Sequence, residues 1–111
     1  MDLCFADTQL RKLCSSEKEL IRKFGDRRGK LIAVRLSELR ALPTLATAYQ
    51  VAHLGLHQLK AGRDETFALN VVDPYRIVLE PAETPVPRRD DGGVALERVL
   101  AVAVLEIIDY H

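Results

Sequence analysis

Three places in the sequence carry side chains able to work on a phosphate ester. Lys60 is followed three residues later by Arg63, in the connection between two apolar stretches. Arg76 stands just past Asp73-Pro74-Tyr75. Asp109, Tyr110 and His111 follow directly on an apolar run that begins at Val99. Metal-free cleavage of an RNA strand needs parts of these kinds. The ribose 2′-hydroxyl must lose a proton as it attacks the adjacent phosphorus, and the departing 5′-oxygen must gain one, so a base and an acid are required. His111 can exchange protons near neutral pH, with Lys60 or Asp109 as its partner in transfer. Charge growing on the phosphate needs fixed cations, a task suited to the planar forks of Arg63 and Arg76. A base splayed out of its stack needs an aromatic surface, which Tyr110 offers. Spacing alone leaves the plainer alternative open: a solvated loop, a strand-end arginine and a C-terminal histidine with no task.

The elements that must position these groups are helical in the first half and extended in the second. Leu3 to Ala6 reads as a short strand, and Asp7 is placed to cap a helix from about Thr8 to Ser15. Ser16 with Glu19 makes a capping-box pattern for a second helix stopped by Gly25. Asp26 opens the longest helix, which runs to about Leu42 and ends before Pro43. Leu31, Ile32, Leu36, Leu39 and Leu42 fall on one arc of it, and Arg28 and Arg35 lie within the same arc. A core-facing arginine must find a carboxylate or reach the edge, because an unpaired buried charge is very costly. The structural reading is an ion pair, with Glu106 as a candidate partner. The functional reading puts Arg28 or Arg35 in a phosphate-binding cleft. Thr44 can cap a last short helix through Tyr49.

After Gly55 the pattern changes to alternation and short apolar runs. Leu56 to Leu59, Thr66 to Val72 and Tyr75 to Glu80 read as strands, the last two joined as an antiparallel hairpin by Asp73-Pro74. Pro81 to Gly93, with Pro81, Pro85, Pro87 and Gly92-Gly93, reads as a long surface loop. Val99 to Asp109 is apolar on both faces and belongs in the centre of the sheet. The expected fold is α+β, with N-terminal helices on one face of a curved, mainly antiparallel sheet.

With 111 residues the chain fits one domain, 1–111. Its hydrophobic share of 48% is too high for disorder, and no run of about 18 apolar residues offers a membrane span. Sixteen basic residues against sixteen acidic ones mean that any grip on RNA must come from a local cluster of charge. Met1-Asp2-Leu3-Cys4-Phe5 has an acid where a secretory signal carries bases, so a cytoplasmic protein with reduced Cys4 and Cys14 is expected. A metal site could recruit those thiols with His53 and His57, but the cysteines lack the short spacing of a zinc knuckle. No metal and no cofactor are expected.

At these same residues the chain resembles the HigB branch of the RelE/ParE toxin superfamily. The likeness runs through His57-Gln58-Leu59-Lys60, Arg63, Phe67-Ala68-Leu69, Pro74-Tyr75-Arg76-Ile77 and Glu80-Pro81. It continues with Asp91-Gly92-Gly93 and the ending Glu106-Ile107-Ile108-Asp109-Tyr110-His111, its most specific element. Gly25-Asp26-Arg27-Arg28 and Arg35-Leu36 with Glu38-Leu39-Arg40 resemble the family's long helix. The resemblance implies a RelE-like fold and a ribosome-dependent endoribonuclease that cuts messenger RNA. It also implies neutralisation by a HigA-like helix-turn-helix antitoxin, through which alone operator DNA would be touched. Lys60, Arg76, Asp109, Tyr110 and His111 match family active-site positions, and Arg63 matches a basic position. The sequence departs from the pattern at Lys60-Ala61-Gly62-Arg63-Asp64-Glu65, where two acids adjoin the cations, and at Val71 and Val72, where some members carry a further base. Two other activities remain consistent with such a fold: a non-enzymatic gyrase inhibitor of the ParE kind, and a catalytically silent homologue that only binds its antitoxin.

Overall fold

The computed structural model describes residues 1–59 and 65–109. Strand β1 (Asp2–Phe5) leads into three helices, α1 (Thr8–Cys14), α2 (Glu17–Phe24) and α3 (Asp26–Ala41). Their ends follow from local hydrogen bonding. Asp7 Oδ1 accepts from the Leu10 N–H at 2.8 Å, and Ser16 Oγ accepts from the Glu19 N–H at 3.2 Å. Glu19 does not complete a reciprocal box; its carboxylate pairs with Arg22 at 3.3 Å instead. Gly25, at φ 95°, ends α2 and opens α3 within a single residue, a conformation that disfavours any side chain. Leu42 is extended, as a residue before proline must be, and Thr44 and Thr47 form a complete capping box on α4 (Leu45–Tyr49).

The pair α2–α3 is held closer than side chains would allow. A Cβ at Gly29 would lie 2.5 Å from the Ile21 backbone, so the glycine in mid-helix is what lets the two helices touch. Leu20 of α2 and Ile32, Leu36 and Leu39 of α3 are fully buried in the resulting layer.

The sheet contains β2 (His57–Gln58), β3 (Phe67–Asn70), β4 (Tyr75–Pro81) and β5 (Ala101–Asp109), in the order β1-β5-β4-β3-β2. Only the β1–β5 pair is parallel. Phe67, Leu69, Ile77, Leu79, Val102 and Val104 face the helices and share one core with them. The architecture is therefore α+β with a five-stranded mixed sheet. β5 is interior, as its apolar pattern requires, but β4 occupies the middle, because β5 has only β1 beyond it.

The 81–93 segment is more than the surface loop its prolines suggest. Pro81 pairs with Val102 as the last residue of β4, and the next bond to β5 comes from Ala82 N–H to Ala101 O at 2.9 Å. Arg88 bridges Val94 across a turn in which Gly92 has φ 90°, and Val94, Ala95 and Val99 are buried. No helix among the described residues is long and apolar enough to cross a membrane.

Candidate active site

The hairpin between β3 and β4 sets the position of Arg76. Tyr75 donates its N–H to Val72 O at 2.8 Å, closing the turn around Asp73-Pro74. Since Ile77 and Leu79 face the core, alternation puts Arg76 and Val78 on the opposite face of the sheet. Across the sheet Arg76 is opposite Ile108, and Tyr75 is opposite Asp109. The register thus brings the end of the last strand beside the cation next to the turn.

Arg76 donates through Nη1 to Asp73 Oδ1 at 3.0 Å and to Tyr75 O at 3.1 Å. Its side chain is 22% exposed whereas that of Asp73 is 89% exposed, so water screens the pair from one side. Among the described residues, Nε and Nη2 of Arg76 have no partner. Those two donors form the edge of the fork that can grip two oxygens of one phosphate.

Tyr75 carries a small cluster on the adjoining side. Phe24 meets its ring edge-on at 5.8 Å, and the Arg28 guanidinium lies 4.8 Å from the ring centre. Arg28 is therefore not a core residue: it is exposed and rests on an aromatic face. Phe24, Arg27, Arg28 and Asp73 help to line a cleft of about 340 Å³ there, with Asp26 also on its wall.

Arg35 does pair with a carboxylate, but with Glu38 rather than Glu106. Its Nη1 donates to Glu38 Oε1 at 2.8 Å and its Nε to Asn70 O at 3.1 Å. β2 is too short to reach Asn70, so the guanidinium supplies the hydrogen bond that a neighbouring strand would have given. Glu38 also meets His53 Nε2. Burial alone would raise the Glu38 pKa; the hydrogen bonds and charges of His53 and Arg35 outweigh it and hold the carboxyl below its usual range. Glu106, opposite Val78 on β5, is exposed.

Lys60, Arg63, Tyr110 and His111 lie outside the described residues. The residues flanking the first two are bonded to one another, Leu59 N–H to Thr66 O at 2.8 Å. They sit at the end of β3 where Phe67 faces Leu79, the opposite end from Asn70 and Arg76. Of the expected site residues, then, Asp109 is opposite Tyr75, on whose ring Arg28 rests, while Arg76 is opposite Ile108 and points to the other face of the sheet, and Arg35 is engaged at the sheet edge. The Asp91-Gly92-Gly93 motif is a turn: Asp91 Oδ1 accepts from the Gly93 N–H at 2.9 Å. That bond, with Arg89 beside it, lowers the Asp91 pKa.

Sequence reasoning missed Asp73 as a partner of Arg76 and Phe24 as a support for Tyr75. The first was signalled by an acid three residues before the arginine across a tight turn. The second depends on tertiary packing and left no local signal. Among the described residues no three His, Cys, Asp or Glu side chains converge as metal ligands. His53 is on Glu38, His57 is on Gly55 O, and burial pushes the Cys14 thiol up to about 11. Compared with protein families, curated proteins and solved structures, the chain matches none of them.

Proposed function

We propose that this chain is the toxin of a type II toxin–antitoxin pair, an endoribonuclease that cleaves messenger RNA on the ribosome. The observation that carries the reading is the β4–β5 register, which sets Arg76 beside Ile108 and Tyr75 beside Asp109. Arg76 then binds the scissile phosphate through the Nε–Nη2 edge of its fork and stabilises the charge that grows there. His111, with Asp109 at the end of β5, takes the proton of the 2′-hydroxyl and supplies one to the leaving oxygen. Tyr110 stacks on a displaced base, and Arg63 and Arg28 hold flanking phosphates. A HigA-like helix-turn-helix antitoxin neutralises the enzyme and is its only link to operator DNA.

The test is inducible expression with and without the neighbouring antitoxin gene, following growth and messenger RNA integrity. Growth arrest with transcript cleavage is expected, relieved by the antitoxin and largely lost in His111→Ala. Arrest with intact transcripts would move the assignment to gyrase inhibition. No arrest would leave the silent antitoxin-binding homologue, a reading favoured by one observation: Asp73 already supplies a counter-charge to Arg76.

A further inference from the structure

The corner between α2 and α3 carries cations interleaved with aromatic rings. The Lys23 ammonium lies 5.7 Å from the centre of the Phe24 ring, Phe24 meets Tyr75 edge-on, and the Arg28 guanidinium lies 4.8 Å from the Tyr75 ring centre. Both rings are half-buried, whereas Lys23, Arg27 and Arg28 are exposed. Arg27 and Arg28 line the cleft of about 340 Å³ together with Phe24 and Val72.

Two acids share that wall, and each already has a cation of its own. Asp26 pairs with Lys30 at 3.2 Å and Asp73 with Arg76 at 3.0 Å. Asp109, opposite Tyr75, is not part of the lining. Lys23, Arg27 and Arg28 form no ion pair among the described residues. The charge left over at the cleft is therefore positive. The excess extends along the helices, since residues 7–30 hold eight Lys and Arg against four Asp and Glu, although the chain as a whole is neutral. Such a surface calls for an anion.

The rings narrow the choice of anion. An arginine held over an aromatic ring offers the outer side of its guanidinium as a stacking surface for a planar base, and its N–H edge to a phosphate. An acidic peptide would use the charges and leave the stack idle. Position agrees with a nucleotide: Asp73 both lines the cleft and accepts from Arg76, so the cleft and the proposed phosphate site meet around one turn.

We propose that this cleft holds one unpaired nucleotide of the substrate RNA, next to the nucleotide whose phosphate Arg76 grips. Its base stacks on Arg28 above Tyr75, and its phosphate lies between the Arg28 edge and Arg27, with Lys23 beyond. The inference rests on the ribonuclease reading for the identity of the strand, and it makes the α2–α3 corner a subsite for a stacked base rather than a patch of charge.

The test measures binding of a short single-stranded RNA, made uncleavable by 2′-O-methyl sugars, to the full chain. Arg28→Lys keeps the charge and removes the flat surface; it should weaken binding about tenfold with the melting temperature unaltered. An abasic nucleotide at one position should cost the parent a similar factor and the variant almost nothing more, since both changes remove the same stack. Arg27→Gln should lower the slope of log affinity against log salt by about 0.7. Additive losses, an Arg28→Lys variant that binds like the parent, or an unchanged slope overturns the proposal. Equal competition by a polyglutamate peptide also overturns it, giving the cleft to an acidic protein segment. Transcript cleavage by the parent without the coupling fails this proposal alone, whereas coupling in a parent that cleaves no transcript fails the ribonuclease reading alone.

Discussion

The molecule holds two arginine–carboxylate pairs of similar length in different surroundings. Arg35 and Glu38, 2.8 Å apart, are 14% and 28% exposed, and every contact around them ties α3 to β3 and to the turn at His53. Arg76 and Asp73, 3.0 Å apart, share a half-buried cation and an acid that stands almost wholly in water. The first arginine is used at both ends of its fork on the protein itself; the second, among the described residues, is bonded only through Nη1. The lesson is that an arginine's role is read from what its partners leave unsatisfied, not from the presence of a partner. Desolvated pairs are costly to break and hold structure, whereas exposed pairs contribute little and exchange readily for a ligand.

Four substitutions test that contrast. Arg76→Ala should have the largest effect, lowering transcript cleavage by about a hundredfold or more while the unfolding midpoint barely moves. Retained cleavage would remove Arg76 from the proposed chemistry. Arg35→Ala should do the reverse. Loss of the bonds to Glu38 and Asn70 should cost about 2–3 kcal/mol in denaturant unfolding, with activity per folded molecule unchanged. Glu38→Gln probes the same cluster by pH. The folded carboxyl is held below its ordinary value of 4.5, so its stabilisation is present above that value and is lost as pH falls through the lower folded one. Acid titration of stability should be steeper in the parent than in the variant, and equal slopes would contradict the assignment. Asp73→Asn should have the smallest effect, raising RNA affinity about two- to fourfold at low salt and leaving stability almost unaltered. A fall in affinity would show that Asp73 positions Arg76 rather than competing with the phosphate.

Much of the fold was legible because it is set by interactions a few residues apart. Asp7, Ser16 and Thr44 each cap a helix through a backbone N–H three positions on, and Pro43 stops α3 through its own ring. The Asp73-Pro74 turn fixes its hairpin in the same local way. What the sequence does not display is pairing across distance. The placement of β5 between β4 and β1 depends on which edges meet, and the β4–β5 register includes an irregularity at Val78/Leu79 that no periodicity announces. Arg35 illustrates the same limit: its apolar arc drew attention to a distant partner on β5, while Glu38 lay three residues away on the same helix. Gly29 carried a visible signal, a glycine inside an otherwise good helix former, but its meaning required the neighbouring helix. For the candidate site, residue types were readable and proximity was not.

The parallel contact between β1 and β5 has a consequence for how the molecule comes into being. Strand β1 has no neighbour until Ala101 to Val104, about a hundred residues later, have been made. During translation β1 must wait, unpaired, while the helices and the other strands are made, and the loop that this pairing closes is the longest in the sheet. A nascent chain therefore gains its closed sheet late and all at once, and the edge beside Arg76 is completed in the same event.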